Sequence, residues 1–199
     1  MSLEPRAATP TDAPRLAEVF LAAFSDTFNR TMFPPTPDVR AWAATHLLGG
    51  NGAQAHEVYL KIEDASAPGV VAAFAKWNRL AQGTADPHGS APGWPASSDQ
   101  ELCDRFFGTM DAYHRRLMGD RPHYYLEILG VDPSYQGRGL ASKLLKWGLA
   151  RADEEGVEVY LSSSPEGRPV YEKYGFQSLE SFSPFSGYEQ VSMIRPARK

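Results

Sequence analysis

The stretch Gln136-Gly137-Arg138-Gly139-Leu140-Ala141 has the residue types and spacing of an anion-binding turn. It lies between a strand-like run, 123–131, and a helix-like run, 137–155. At such a junction, free backbone N–H groups and the positive end of the helix dipole attract negative charge. Gly137, Gly139 and the small Ala141 let phosphate oxygens approach the backbone closely. Arg138, Lys143 and Lys146 would add positive charge. Two or three charge-assisted hydrogen bonds, at about 1.5–3 kcal/mol each, supply about half of the roughly 8 kcal/mol behind a micromolar affinity. The remainder would have to come from the body of a long ligand. A tight strand-to-helix connection has the same pattern, so the turn alone does not decide function. A dinucleotide site is poorly matched, because Ser142 holds the third glycine position and Tyr160-Leu161-Ser162 is not followed by a ribose-binding acid.

A second candidate is Glu127, a carboxylate set between Leu126 and Ile128 on the strand that feeds this turn. Strict alternation places Tyr125, Glu127 and Leu129 on one face. Burial there would raise its pKa toward the range of a general base acting through water. A solvent-facing or salt-bridged carboxylate is the alternative, and His123 at the strand entry is another candidate base. Cys103 is the single cysteine and reads as a small core residue, and the five histidines are scattered without metal-ligand spacing. No metal site is expected.

The elements that position these residues follow from periodicity. Residues 3–8 read as a short edge strand, because Pro5 cannot donate to a ladder. Thr11 or Asp12 caps a helix that carries Leu16, Val19, Phe20, Ala23 and Phe24 and ends between Phe24 and Phe28. A second helix is expected over 38–48, closed by Gly49-Gly50-Asn51-Gly52. Strands follow at 58–63 and 70–77, joined at Pro68-Gly69. Residues 81–98, rich in Gly, Pro, Ser and Ala, form a long loop and a candidate lid anchored by Trp94. A helix with Leu102, Phe106, Phe107, Met110 and Leu117 leads to the strand 123–131, the turn, the helix 137–155 and a strand at 157–161. That strand–helix–strand order implies a parallel pair with a right-handed crossover. Ser164 would cap a short helix, 165–174, before two last strands at 176–182 and 188–194.

The chain has 199 residues, with 20 basic and 24 acidic side chains and a net charge of −4. Its 42% hydrophobic and 22% charged composition fits one globular domain, 1–199. The mild acidity argues against non-specific nucleic-acid binding. No apolar run approaches the roughly 18–20 residues that span a bilayer, and the start of the chain lacks an apolar signal region. A soluble, cytoplasmic protein without membrane or nucleic-acid partners is expected; the oligomeric state is not readable.

Asp132-Pro133-Ser134-Tyr135-Gln136-Gly137-Arg138-Gly139-Leu140-Ala141 resembles motif A of the GNAT family of N-acetyltransferases, whose core Gln/Arg-x-x-Gly-x-Gly/Ala is met by Gln136, Gly139 and Ala141. About thirty-five residues on, Val170-Tyr171-Glu172-Lys173-Tyr174-Gly175-Phe176 resembles motif B, a tyrosine in Tyr-x-x-x-Gly-Phe. The strong resemblance covers about residues 123–182, and the wording as a whole resembles uncharacterised fungal members. It implies an α/β (α+β) fold: a mixed, mostly antiparallel sheet of about six to seven strands, a splayed parallel central pair and helices on both faces. It implies acetyl-CoA as cosubstrate, its pyrophosphate on the amides of Gln136, Gly137, Arg138, Gly139, Leu140 and Ala141 and its pantetheine along the backbone of Leu129 and Val131. Tyr171 is implied as the acid that assists the departing thiolate, and Glu127 matches the position of a base-supporting residue. Ser164 stands where the motif often has asparagine, which puts cofactor affinity in doubt. The acceptor is expected to be a small-molecule primary amine met by Phe24, Phe28 and Trp77, with Phe33, Trp42 and Tyr188 as further candidates. A non-catalytic acetyl-CoA-binding domain, a peptide or protein acetyltransferase and a nucleotide-binding oxidoreductase are the alternatives.

Overall fold

A computed structural model of the chain describes residues 3–47, 56–64, 66–67, 69–82 and 93–198. The helix stop at 49–52, Pro68 and most of the candidate lid lie outside the described residues.

Seven strands form one sheet in the order β1-β2-β3-β4-β5-β7-β6. They are β1 (Arg6–Ala7), β2 (Glu57–Glu63), β3 (Val71–Leu80), β4 (His123–Val131), β5 (Glu158–Ser163), β6 (Gln177–Phe185) and β7 (Tyr188–Arg195). Only β4 and β5 pair in parallel, and every other pair is antiparallel. The mixed sheet, the parallel central pair and the edge position of β1 agree with the sequence reading. β3 lies beside the central strand β4 and is buried along its whole length except Arg79, the buried Lys76 and Asn78 included.

Helices cover both faces. On one face α5 (Leu140–Glu155) buries Leu140, Leu144, Leu145, Leu149 and Ala152 against the sheet. Gly148 lets α5 sit close, because a Cβ there would lie 2.4 Å from the Trp77 ring. On the other face lie α1 (Ala13–Ala23), α2 (Thr27–Met32), α3 (Pro37–Trp42) and α4 (Gln100–Met118). α4 starts where the Asp99 carboxylate accepts from the Leu102 N–H at 3.0 Å, and it carries Arg115 and Arg116 in its last turn, opposite the negative dipole end. The short helix α6 (Arg168–Glu172) precedes β6.

Three of the differences from expectation bear on the site. α2 is an additional helix; Asp26 caps it by accepting from Asn29 N at 3.1 Å, a local signal that the longer-period reading passed over. α5 begins at Leu140 rather than Gly137, because Gly137 and Gly139 take φ of +74° and +75°, outside the helical region. α6 begins at Arg168, and Ser164 does not cap it; its Oγ accepts from Gly167 N at 3.3 Å inside a preceding turn.

Candidate active site

β4 breaks its own regularity at Glu127. Lys76 of β3 pairs with Ile128 and Trp77 pairs with Leu126, so Glu127 is an extra residue, a β-bulge. The parallel pairing of β4 with β5 ends at the same place, with Leu126 opposite Leu161. Beyond it, Ser162 and Ser163 keep only the β7 partners that β5 has along its length. Residues 128–131 therefore keep their β3 partners and present the other edge to open space. The bulge also shifts the facing of the strand. Tyr125 belongs to the cluster with Met118 of α4, whereas Leu129 packs against the cluster under α5. The expectation that Tyr125 and Leu129 share a face fails for this reason.

A cleft of about 690 Å³ follows the opened edge. At one end lie Tyr135, Gln136, Gly137, Gly139, Leu140 and Ala141; Leu129 and Val131 line its length; Ser164, Tyr171, Glu127 and Phe24 also face it. The turn is held in shape from within. Asp132 N donates to Ala72 O at 2.9 Å, the Asp132 carboxylate accepts from Ser134 N at 3.0 Å, and the Tyr135 hydroxyl donates to Asp64 Oδ2 at 2.6 Å. Among the described residues, the amides of Gly137, Arg138 and Gly139 have no backbone acceptor, which leaves them for an anion. The charged side chains proposed to help are largely committed elsewhere. Arg138 Nη2 donates to Ser134 O, with its guanidinium 4.8 Å above the Tyr135 ring, and Lys143 binds Leu3 O and Glu4. The groups this end offers to an anion are therefore backbone amides, and the pyrophosphate of acetyl-CoA would fit the turn.

Glu127 is not an isolated carboxyl. Its Oε2 lies 2.8 Å from Lys76 Nζ and 2.8 Å from the donating Asn78 Nδ2, and Lys76 also meets Glu57 at 3.0 Å. Burial alone would push the Lys76 ammonium down, but Glu127 and Glu57 outweigh it and raise its pKa. The expected effect of burial on Glu127 is thus opposed by an adjacent cation. Sequence reasoning missed Lys76 and Asn78, whose β3 positions reach Glu127 only through sheet pairing. His123 is excluded from the cleft: it sits at the far end of β4, its Nε2 2.7 Å from His114 Nε2.

Tyr171 is half-buried on the cleft wall beside Phe176, ring centroids 5.7 Å apart. Burial pushes its phenol up to about 12. Full proton transfer to a thiolate with an ordinary pKa near 8.5 would then be uphill by roughly 5 kcal/mol. With its phenol held neutral, Tyr171 can donate a hydrogen bond but is a weak acid.

Of the expected acceptor contacts, Phe24 lines the cleft but two do not. Phe28 is buried behind the wall, stacked on the cleft residue Tyr188 at 4.2 Å. Trp77 is 1% exposed and faces α5, because even-odd alternation along β3 points it away from Lys76 and the cleft. Trp42 and Trp94 form a second layer, stacked on the lining residues Phe33 at 5.5 Å and Phe107 at 5.1 Å. Asp26, Asn29, Glu166 and Gln190 also line the cleft and carried no motif signal. Cys103 is buried outside it, its thiol pushed up to about 12 by burial.

The comparisons with known proteins agree with this geometry. The family model described as Acetyltransferase (GNAT) domain matches residues 103–195. An uncharacterized N-acetyltransferase of Schizosaccharomyces pombe is 40% identical over 63 residues, 31% of this chain and 26% of that protein. The mycothiol acetyltransferase of Propionibacterium freudenreichii is 33% identical over 112 residues, 52% of this chain and 32% of that protein. The chain thus spans about a third or less of the length of these two relatives. A solved histone acetyltransferase HPA2 and related acetyltransferase of Corynebacterium glutamicum shares the fold over 100% of this chain and 98% of its own, at a TM-score of 0.68 and 22% identity. The ribosomal-protein-S18-alanine N-acetyltransferase of Escherichia coli does so over 98% and 94%, at 0.58 and 16%. With the bulged β4, the glycine turn and the motif tyrosine on one cleft, residues 103–195 match the GNAT acetyltransferase domain, and the whole chain shares its fold with solved acetyltransferases.

Proposed function

We propose that the protein transfers acetyl from acetyl-CoA to the primary amine of a small molecule, by direct attack in a ternary complex, as a cytoplasmic enzyme. One observation carries this reading: a single cleft joins the unpaired amides at Gly137–Gly139 to Tyr171 and Glu127 along the open edge of β4. Pyrophosphate would rest on the turn, and pantetheine would add to the edge beside Leu129 and Val131 in the manner of an extra strand. The amine arrives as an ammonium ion. It loses one proton through water to Glu127, and its nitrogen forms a bond to the thioester carbonyl carbon. The carbon–sulfur bond then breaks with the electron pair going to sulfur. Tyr171 hydrogen-bonds the thiolate as it leaves; the second nitrogen proton ends on the thiol. A backbone N–H near Val131 polarises the carbonyl.

Thermal unfolding with acetyl-CoA, CoA and NAD(P)H in parallel, followed by thiol release with an amine panel, tests the reading. Acetyl-CoA at 100 times its Kd should stabilise by about 2.7 kcal/mol. A rise in Tm with NAD(P)H and none with acetyl-CoA would sink it. Binding without turnover of any amine would favour a non-catalytic domain.

A further inference from the structure

We infer that the acceptor is a cationic amine with an apolar or aromatic body and no carboxylate or phosphate of its own. The inference rests on the acetyltransferase reading and narrows its substrate. The charged side chains lining the cleft are Asp26, Glu127 and Glu166, and among the described residues no Lys, Arg or His lines it. Outside the described residues, 48–55 and 83–92 contain no Lys or Arg in sequence and one histidine, His88. Nearby cations are spent: Lys76 is 7% exposed, between Glu57 and Glu127.

The remainder of the acceptor end is apolar. Phe20, Phe24, Phe33, Phe106, Phe107 and Met110 form its wall. The phenol of Tyr188 completes it; burial, Asp26 and Glu166 all raise its pKa, so it stays neutral and offers no charge. An ammonium group would find a carboxylate and aromatic faces, both favourable to a cation. A carboxylate on the acceptor would meet like charges and no partner, a cost in a half-enclosed site. The one place built for an anion is the glycine turn, and the cofactor pyrophosphate takes it.

Three acceptors that share a benzyl body separate the charge from the shape. With enzyme and saturating acetyl-CoA, kcat/KM for 2-phenylethylamine and for phenylalanine amide should exceed that for phenylalanine by at least about 30-fold, and ethanolamine should trail 2-phenylethylamine. Met110→Lys places a cation on the half-buried wall and should narrow the amide-to-acid ratio at least tenfold by improving phenylalanine. Equal use of phenylalanine and its amide, a preference for ethanolamine, or no change of ratio in Met110→Lys would overturn the inference. Calorimetric binding of the same compounds to the CoA-saturated protein reads the discrimination without turnover; failure of 2-phenylethylamine to bind more tightly than phenylalanine overturns it there. The acetyltransferase reading fails separately, by the absence of a Tm rise with acetyl-CoA.

Discussion

The two ends of the cleft are made from different parts of the polypeptide. The cofactor end is a backbone surface: amides of one contiguous turn and one strand edge, with side chains reduced to glycine and alanine so that a ligand can come close. The acceptor end is a side-chain surface, assembled from α1, α2, α4, β4 and β7 around Phe24, Met110, Glu127 and Tyr188. A backbone site can be described by a short pattern of small residues. A side-chain site depends on which distant residues the sheet and helices bring together. On the proposed reading, the first end would serve a common cofactor, and the second would be free to vary with the acceptor.

That contrast can be broken or sharpened by substitution. Trp77→Ala opens a cavity between β3 and α5, away from both ends, and should cost about 4 kcal/mol and lower Tm by about 10 °C. Acceptor KM measured well below that Tm should stay within about threefold; a large KM change would put Trp77 back in the acceptor site. Lys76→Met strands Glu57 and Glu127 without their shared cation and should destabilise by about 3 kcal/mol. It should also move the acid limb of the pH–rate profile upward, because Glu127 loses the charge that favours its ionised form; an unmoved limb removes Glu127 as the base. Tyr171→Phe should lower kcat by about 30–100-fold, roughly 2–3 kcal/mol of barrier, while the Kd of acetyl-CoA stays put. Gly139→Val forces a β-branched residue to φ +75° and should weaken acetyl-CoA by about 10–30-fold, with acceptor binding to the CoA complex little changed.

The smallest effect concerns the far end of β4. His123 Nδ1 lies 2.7 Å from Arg121 O, which can only accept, so the neutral ring donates there and its Nε2 accepts from His114. Burial holds His123 below the usual histidine range. The unfolded chain thus takes up a proton that the folded chain refuses. The associated stability is present above about pH 6.5 and is lost as pH falls through the folded value. Tm should decline from pH 7 to 5, and His123→Phe should flatten that segment. A decline of the same size in the variant would assign it to other groups.

Most of the scaffold was legible because its signals are local. β4 was bounded to the residue, and the order strand, turn, helix, strand gave the parallel pair. α2 was missed because six residues carry too few apolar positions to show a period, although Asp26 and Asn29 hold its capping signal. The pairing of Lys76 with Glu127 was illegible because it joins residues 51 apart in sequence across a bulged register.

The sequence by itself determined the resemblance, the order of elements, the glycine turn and the motif tyrosine, since each is written in contiguous residues with fixed backbone preferences. Only the tertiary structure decided what surrounds Glu127, which aromatics face the cleft and which way Trp77 points. One bulge at Glu127 offsets the alternation of β4, and whether a side chain lines a cleft or a core turns on such one-residue shifts.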